Sequence, residues 1–317
     1  MATEVDATVV ESAEQATAGT CTHPQSHHVE RKPLWWRQQA GRRGTKGQRA
    51  TLRRMENLGY VLEKKKYKPG VEGYSLVDLF AKSLGKLTAS HDRESTNADM
   101  VESEMEFWLE IGFGRGENIL TNAHMHQDRC YIGADVHQPG TCTVLGRMED
   151  AIESGKYWDG ATMFAKESKQ ADIHVTGSAN HRPYDNVRIY CGDGIKFLHL
   201  IPSHSLSGII LPFPDPFPNT TTYSGHEKFR VIQPSTLQSL ERVLKPGGAF
   251  YLATDAIEFF EWCYGIFESH GRERGWQEVV PCPDRTGWLG AISYYEQKGF
   301  DEGRSTHVRC WRCPTDT

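Results

Sequence analysis

The chain has 317 residues, 38% hydrophobic and 24% charged, with a formal net charge of −5. That length can bury a sizeable core, as one large domain or one domain with appendages, and no run reaches the ~18 apolar residues of a membrane helix. Eight scattered cysteines point to free thiols in a reducing compartment, and the acidic start MATEVDATVVESAEQATAG reads as neither a secretory signal nor a usual transit peptide. The cytoplasm is the default expectation, with nuclear entry by the basic run as the alternative.

Residues 1–29 are small and polar and read as a disordered tail. Residues 30–68 form a basic arm: from Arg31 to Lys68, thirteen Lys/Arg stand against two acids, giving +11 and leaving −16 for the remainder. A basic tract on an acidic body suggests a polyanion partner reached by a mobile or peripheral arm; a solvated charged helix is the plainer reading. Helical spacing runs from Lys46 to Leu62. Residues 69–104 read as a linker with an amphipathic helical segment from Ser75 to Leu87 (Leu76, Leu79, Phe80, Leu84) and a polar stretch behind it. From 105 to 317 strand and helix patterns alternate, which calls for a mostly parallel sheet covered on both faces. Strands are expected at 107–111, 130–135, 187–190, 207–212 and 248–253, with a pair near 276–281 and 305–312. Helices are expected at 116–125, 139–154, 194–201, 229–243 and 256–268. Residues 156–185 break the rhythm and read as a surface insertion.

Open α/β sheets bind ligands beyond the carboxyl ends of their strands, so the strand-end residues are the candidates. Phe107, Trp108, Leu109 and Ile111 make a buried strand that runs into Gly112, Gly114 and Gly116. A dinucleotide fingerprint would place its third glycine at Glu117. What stands here is Glu110-x-Gly112-x-Gly114-x-Gly116, the spacing used for S-adenosylmethionine, and it excludes an NAD-type loop. The next strand ends in Asp135, placed to accept from ribose hydroxyls. Asp193 ends the third, placed to accept from an adenine amino group. The fourth runs into PFPDPFP (212–218), where prolines stiffen the loop that carries Asp215, and the fifth ends in Thr254-Asp255. Any one of these acids could be no more than a helix N-cap. Cys310-x-x-Cys313, even with His307, lacks a second ligand pair, so no metal is assigned.

These motifs, in order, resemble the tRNA (guanine-N7)-methyltransferases, especially the bacterial type. Gly41 to Gln48 resembles the family's basic signature, Leu109 to Gly116 its first motif, and Gly133 to Gly140 its second-strand acid and turn. Phe213-Pro214-Asp215-Pro216 resembles its most diagnostic run, followed by His226, Lys228 and Arg230, by Pro246-Gly247-Gly248, and by Ser293 to Gly299. The resemblance implies an α/β, Rossmann-like class I S-adenosylmethionine-dependent methyltransferase fold, with a central seven-stranded, mostly parallel sheet and helices on both faces. It implies methyl transfer from S-adenosyl-L-methionine to N7 of a guanine in tRNA, expected at position 46 in the variable loop. Glu110, Gly112, Gly114, Gly116, Asp135, Asp193 and Asp215 match cofactor positions, and Asp215 also matches the active-site residue. Asn219, Asp255, Ser293, Tyr294, Tyr295 and Glu296 fall at positions that hold the substrate. Arg42, Arg43, Lys46 and Arg49 supply charges for tRNA phosphates. Three departures stand out: Asn219 replaces the usual Lys, about four extra residues follow Asp215, and Ser293 replaces a Thr. Eukaryotic members work with a WD-repeat partner and bacterial ones act alone, so tRNA is the partner implied and no obligate protein partner is expected.

Guanine N7 carries a lone pair and no proton, so catalysis should rest on positioning rather than on a strong base. Asp215 then reads as an orienting acceptor. Two alternatives stay open: a methyltransferase of another RNA, a small molecule or a protein, and a noncatalytic tRNA-binding protein that keeps the fold.

Overall fold

A computed structural model of the chain describes residues 44–65, 73–81, 105–158, 182–219 and 225–315. Its seven strands are β1 (Glu106–Ile111), β2 (Arg129–Asp135), β3 (Val187–Cys191), β4 (Leu206–Pro212), β5 (Leu244–Thr254), β6 (Gln277–Glu278) and β7 (His307–Arg312). They form one sheet in the order β3-β2-β1-β4-β5-β7-β6. The first five run parallel, and β7 lies antiparallel to both β5 and β6. The strand order reverses between β1 and β4, which opens a crevice at their carboxyl ends.

Among the described residues, the helices that accompany the sheet include α1 (Lys46–Asn57), α2 (Glu117–Met125), α3 (Gln138–Ser154), α4 (Gly194–Leu198), α5 (Pro234–Val243), α6 (Ile257–Ile266) and α7 (Tyr294–Asp301). Strand side chains alternate between faces, so each face has its own core. Phe107, Leu109 and Ile111 join Phe197 of α4, Leu237 and Leu240 of α5, and Phe259 of α6. Trp108 and Tyr131 join Ile119 and Leu120 of α2, Val144 and Met148 of α3, and Met55 of α1. The sheet is therefore covered on both faces, and the carboxyl ends of β1 to β5 open toward the same rim. Gly208 permits one close approach, because a Cβ there would sit 2.5 Å from the Trp108 ring.

The expected boundaries need several corrections. The helix expected from Lys46 to Leu62 stops at Asn57, because Gly59 turns the chain at φ +84°. Residues 60–62 then run beside β3: the Leu62 N–H donates to the Ile189 carbonyl at 2.8 Å, and the Ile189 N–H to the Tyr60 carbonyl at 2.8 Å. The helix expected at 229–243 begins only at Pro234, which fills the first helical position, after a short 3-10 turn at His226–Phe229. The one expected at 194–201 ends at Leu198 ahead of Pro202, and β5 reaches back to Leu244. α7 lies in a stretch read only as a motif; the Ser293 hydroxyl caps it by accepting from the Glu296 N–H.

Candidate active site

The glycine turn between β1 and α2 frames the crevice. Gly112, Gly114 and Gly116 hold φ of +81°, +58° and +82°, in the left-handed region that side chains disfavour. A Cβ on Gly116 would sit 2.4 Å from Val144, whereas a Cβ on Gly112 would meet no atom within 4 Å. The first glycine leaves backbone open to a ligand, and the last lets α2 pack on α3.

Glu110 lies at the crevice floor, 1% exposed. Its Oε2 accepts from Asn118 Nδ2 at 2.9 Å, and its Oε1 has no partner. Burial pushes its pKa up to about 8, and the charges of Glu117 and Asp135 push the same way. Asp135, at the end of β2, accepts from the Gly114 N–H at 2.8 Å and the His137 N–H at 2.7 Å. Burial raises its pKa too, with a smaller push from Asp215, while those two amides pull it down. Asp215 is exposed at the rim of the concavity, yet the protein around it raises its carboxyl by desolvation. Glu110 lines the cleft, the Asp135 charge adds to the cost of ionising it, and the Asp215 charge adds to that of Asp135, a setting that a cationic ligand would relieve.

The loop that carries Asp215 departs from ordinary backbone geometry. Phe213 and Phe217 take φ of +48° and +43°, uncommon for residues with bulky side chains. Glu110, Gly112, Gly114, Phe213, Ser293 and Tyr295 line the same cleft. The Tyr295 ring lies against Gly114, where a Cβ would meet Cε2 at 3.3 Å, and Arg115 sits over the Tyr294 ring at 3.9 Å. Asp193 caps α4, its Oδ1 accepting from the Ile195 and Lys196 amides at 3.0 and 3.2 Å.

The substrate candidates are less free. Glu296 is fully buried and forms a two-pronged pair with Arg285 at 2.7 and 2.9 Å, while Thr306 donates to its Oε1 at 2.9 Å. Asp255 accepts from Arg304 Nε at 2.8 Å. Asn219 accepts from the Gly225 N–H at 3.2 Å. Lys46 and Arg49 are exposed on α1, with Arg53 one turn along, whereas Arg54 is drawn into a two-pronged pair with Glu149 of α3 at 2.6 and 2.7 Å. Arg42 and Arg43 lie outside the described residues. Asn118, Arg285 and Arg304 were not singled out from the sequence. Only Asn118 offered a signal, a polar residue in the first turn after the glycines.

The family described as "Putative methyltransferase" matches residues 104–308. A tRNA (guanine-N(7)-)-methyltransferase of Halorhodospira halophila is 30% identical over 213 residues, 66% of this chain and 75% of that protein. This chain belongs to the tRNA (guanine-N7)-methyltransferase family. The protein of that name from Ruegeria pomeroyi is 29% identical over 251 residues, 78% of this chain and 90% of its own. Among solved structures, the 16S rRNA methyltransferase KamB covers 70% of this chain with a TM-score of 0.43 at 12% identity, too distant to argue from. The chain is accordingly an enzyme of the methyltransferase class, built on the seven-stranded sheet described above. Among the described residues, no helix is long and apolar enough to cross a membrane.

Proposed function

We propose that this enzyme transfers a methyl group from S-adenosyl-L-methionine to N7 of a guanine in tRNA, the variable-loop guanine that the family resemblance implies. The observation that carries the cofactor reading is the orphaned, buried Oε1 of Glu110 beneath a glycine turn whose backbone is open to a ligand. The cofactor supplies an electrophilic methyl on a positively charged sulfur. Its positive charge suits a crevice where burial makes ionisation of Glu110, Asp135 and Asp215 costly. In this reading Glu110 accepts from the ammonium end, Asp135 from the ribose, and the backbone at Gly112 lies along the ligand.

Substrate choice rests on the relatives of that name and on the loop at 212–218. N7 presents its lone pair without losing a proton, so Asp215 serves as an orienting acceptor rather than a base, and the rate comes from an in-line approach. Its exposed position suits that work, because a carboxylate there is open to a donor edge and forms the stronger, charge-assisted kind of hydrogen bond. Tyr294 and Tyr295 offer exposed rings beside the cleft on which a base drawn from its stack can rest. Glu296 keeps both oxygens engaged with Arg285 and Thr306, so its part in this reading is to hold that stretch of the site in place. Lys46, Arg49 and Arg53 face solvent on α1 and neutralise tRNA phosphates, while α1 itself is anchored by Met55 in the core. The test is methyl transfer from labelled cofactor to unmodified tRNA, followed by borohydride and aniline cleavage at 7-methylguanosine. Cleavage at the variable loop is expected; labelled tRNA that resists cleavage would refute the N7 assignment.

A further inference from the structure

The loop 212–218 has few ways to hold its own shape. Three of its residues after β4, Pro214, Pro216 and Pro218, lack an N–H, and Phe213 and Phe217 both sit in the left-handed region. One end is fixed, because the Phe213 N–H donates to the Ala253 carbonyl of β5 at 2.7 Å. At the other end stands Arg230, only 5% exposed. Its Nε donates to the Pro216 carbonyl at 2.9 Å and lies 3.3 Å from the Phe217 carbonyl, which Nη2 also meets at 3.3 Å. The guanidinium rests over the Trp262 ring at 5.1 Å and pairs with Glu258 at 3.6 Å, both from α6. Trp262 is itself fixed by donating from Nε1 to the Ile232 carbonyl at 2.8 Å.

We propose that Arg230 is the positioning residue of the active site: its buried fork grips the two carbonyls just after Asp215 and so sets where that carboxylate points. The geometry assigns the task to a guanidinium because one planar group must meet two successive carbonyls at once, while an ammonium is a point charge without the fork. Among the described residues, the hydrogen bonds, ion pair and ring contact of Arg230 reach the loop and α6; it acts through the backbone at 216–217. Asp215 is thereby held between two anchors, β5 on one side and the α6-braced guanidinium on the other. The inference rests on the tRNA guanine-N7 reading proposed above.

The test is a double-mutant cycle between Arg230→Lys and Asp215→Asn, read by methylation of unmodified tRNA. Arg230→Lys is expected to lower kcat about 10-fold or more with the tRNA KM held within about 2-fold, since what it disturbs is alignment rather than binding. In the Asp215→Asn background the same change should cost less than about 2-fold, because the group it positions is gone. If Arg230→Lys does not fold, Glu258→Gln loosens the guanidinium from its exposed side, with an expected fall in kcat of about 3-fold that again vanishes beside Asp215→Asn. Unchanged kcat in the folded variant, or losses that multiply fully in the double mutant, would overturn the assignment of Arg230 alone. A wild-type protein that methylates no tRNA would overturn the substrate reading and this inference with it.

Discussion

Glu110→Gln keeps the shape of the crevice floor and removes its charge. In the unfolded chain this carboxyl titrates near 4.5, and in the fold burial lifts it to about 8. Between those values the folded state holds a proton that the unfolded state has released, so stability falls as pH rises through the window. The contribution is most favourable below pH 4.5, and the penalty is complete above pH 8. With each pKa unit worth about 1.36 kcal/mol, the wild type should lose on the order of 3 kcal/mol between pH 5 and pH 8 through this group alone. Glutamine does not titrate, and its carbonyl still accepts from Asn118, so the variant should lack this slope. The assay is urea unfolding of both proteins without cofactor at a series of pH values, taking the difference so that other groups cancel. The same substitution removes a charge-assisted acceptor for the cofactor ammonium, worth about 1.5–3 kcal/mol, so affinity should drop by roughly 10- to 100-fold. Parallel pH profiles for the two proteins would refute the account of Glu110.

Other substitutions test other parts. Changing Lys46, Arg49 and Arg53 together to Glu should weaken tRNA binding by about 10-fold or more at low salt and flatten its salt dependence, with cofactor binding unchanged. Titration at several salt concentrations checks this, and an unaltered slope contradicts it. Arg285→Ala strips Glu296 of its two-pronged partner and leaves a fully buried carboxylate with Thr306 alone. The expected loss is about 3 kcal/mol in thermal or urea unfolding, and a neutral result would mean that solvent reaches Glu296. Gly116→Ala forces a Cβ to within 2.4 Å of Val144 at φ +82° and should cost more than about 1 kcal/mol. An unshifted melting temperature would contradict that packing.

How much of this could be read from the sequence depended on how local each signal was. β1 and its turn were legible because an apolar run, an acid and three alternating glycines lie within eleven residues, 106–116. The acids at 135, 193 and 215 could be placed at the rim because each ends an apolar strand. The end of α1 is missed although Gly59 marks it: the expected helix runs through that turn to Leu62. The basic segment was expected to stand apart from the body. Where the structure describes it, Met55 is fully buried and residues 60–62 pair with β3, contacts that no charge count reveals. The pairs Arg285–Glu296 and Arg304–Asp255 join residues 11 and 49 apart, and no local pattern announces them. The left-handed Phe213 and Phe217 were hidden as well, since tertiary contacts impose a backbone those residues would not choose.

The central claim is that the methyl group goes to N7 of a tRNA guanine, with Asp215 orienting rather than deprotonating. It is tested most directly with two tRNA transcripts, one ordinary and one carrying 7-deazaguanosine, which keeps the Watson–Crick edge and lacks the N7 lone pair. The account predicts labelling of the first and none of the second. Equal labelling of both would contradict it.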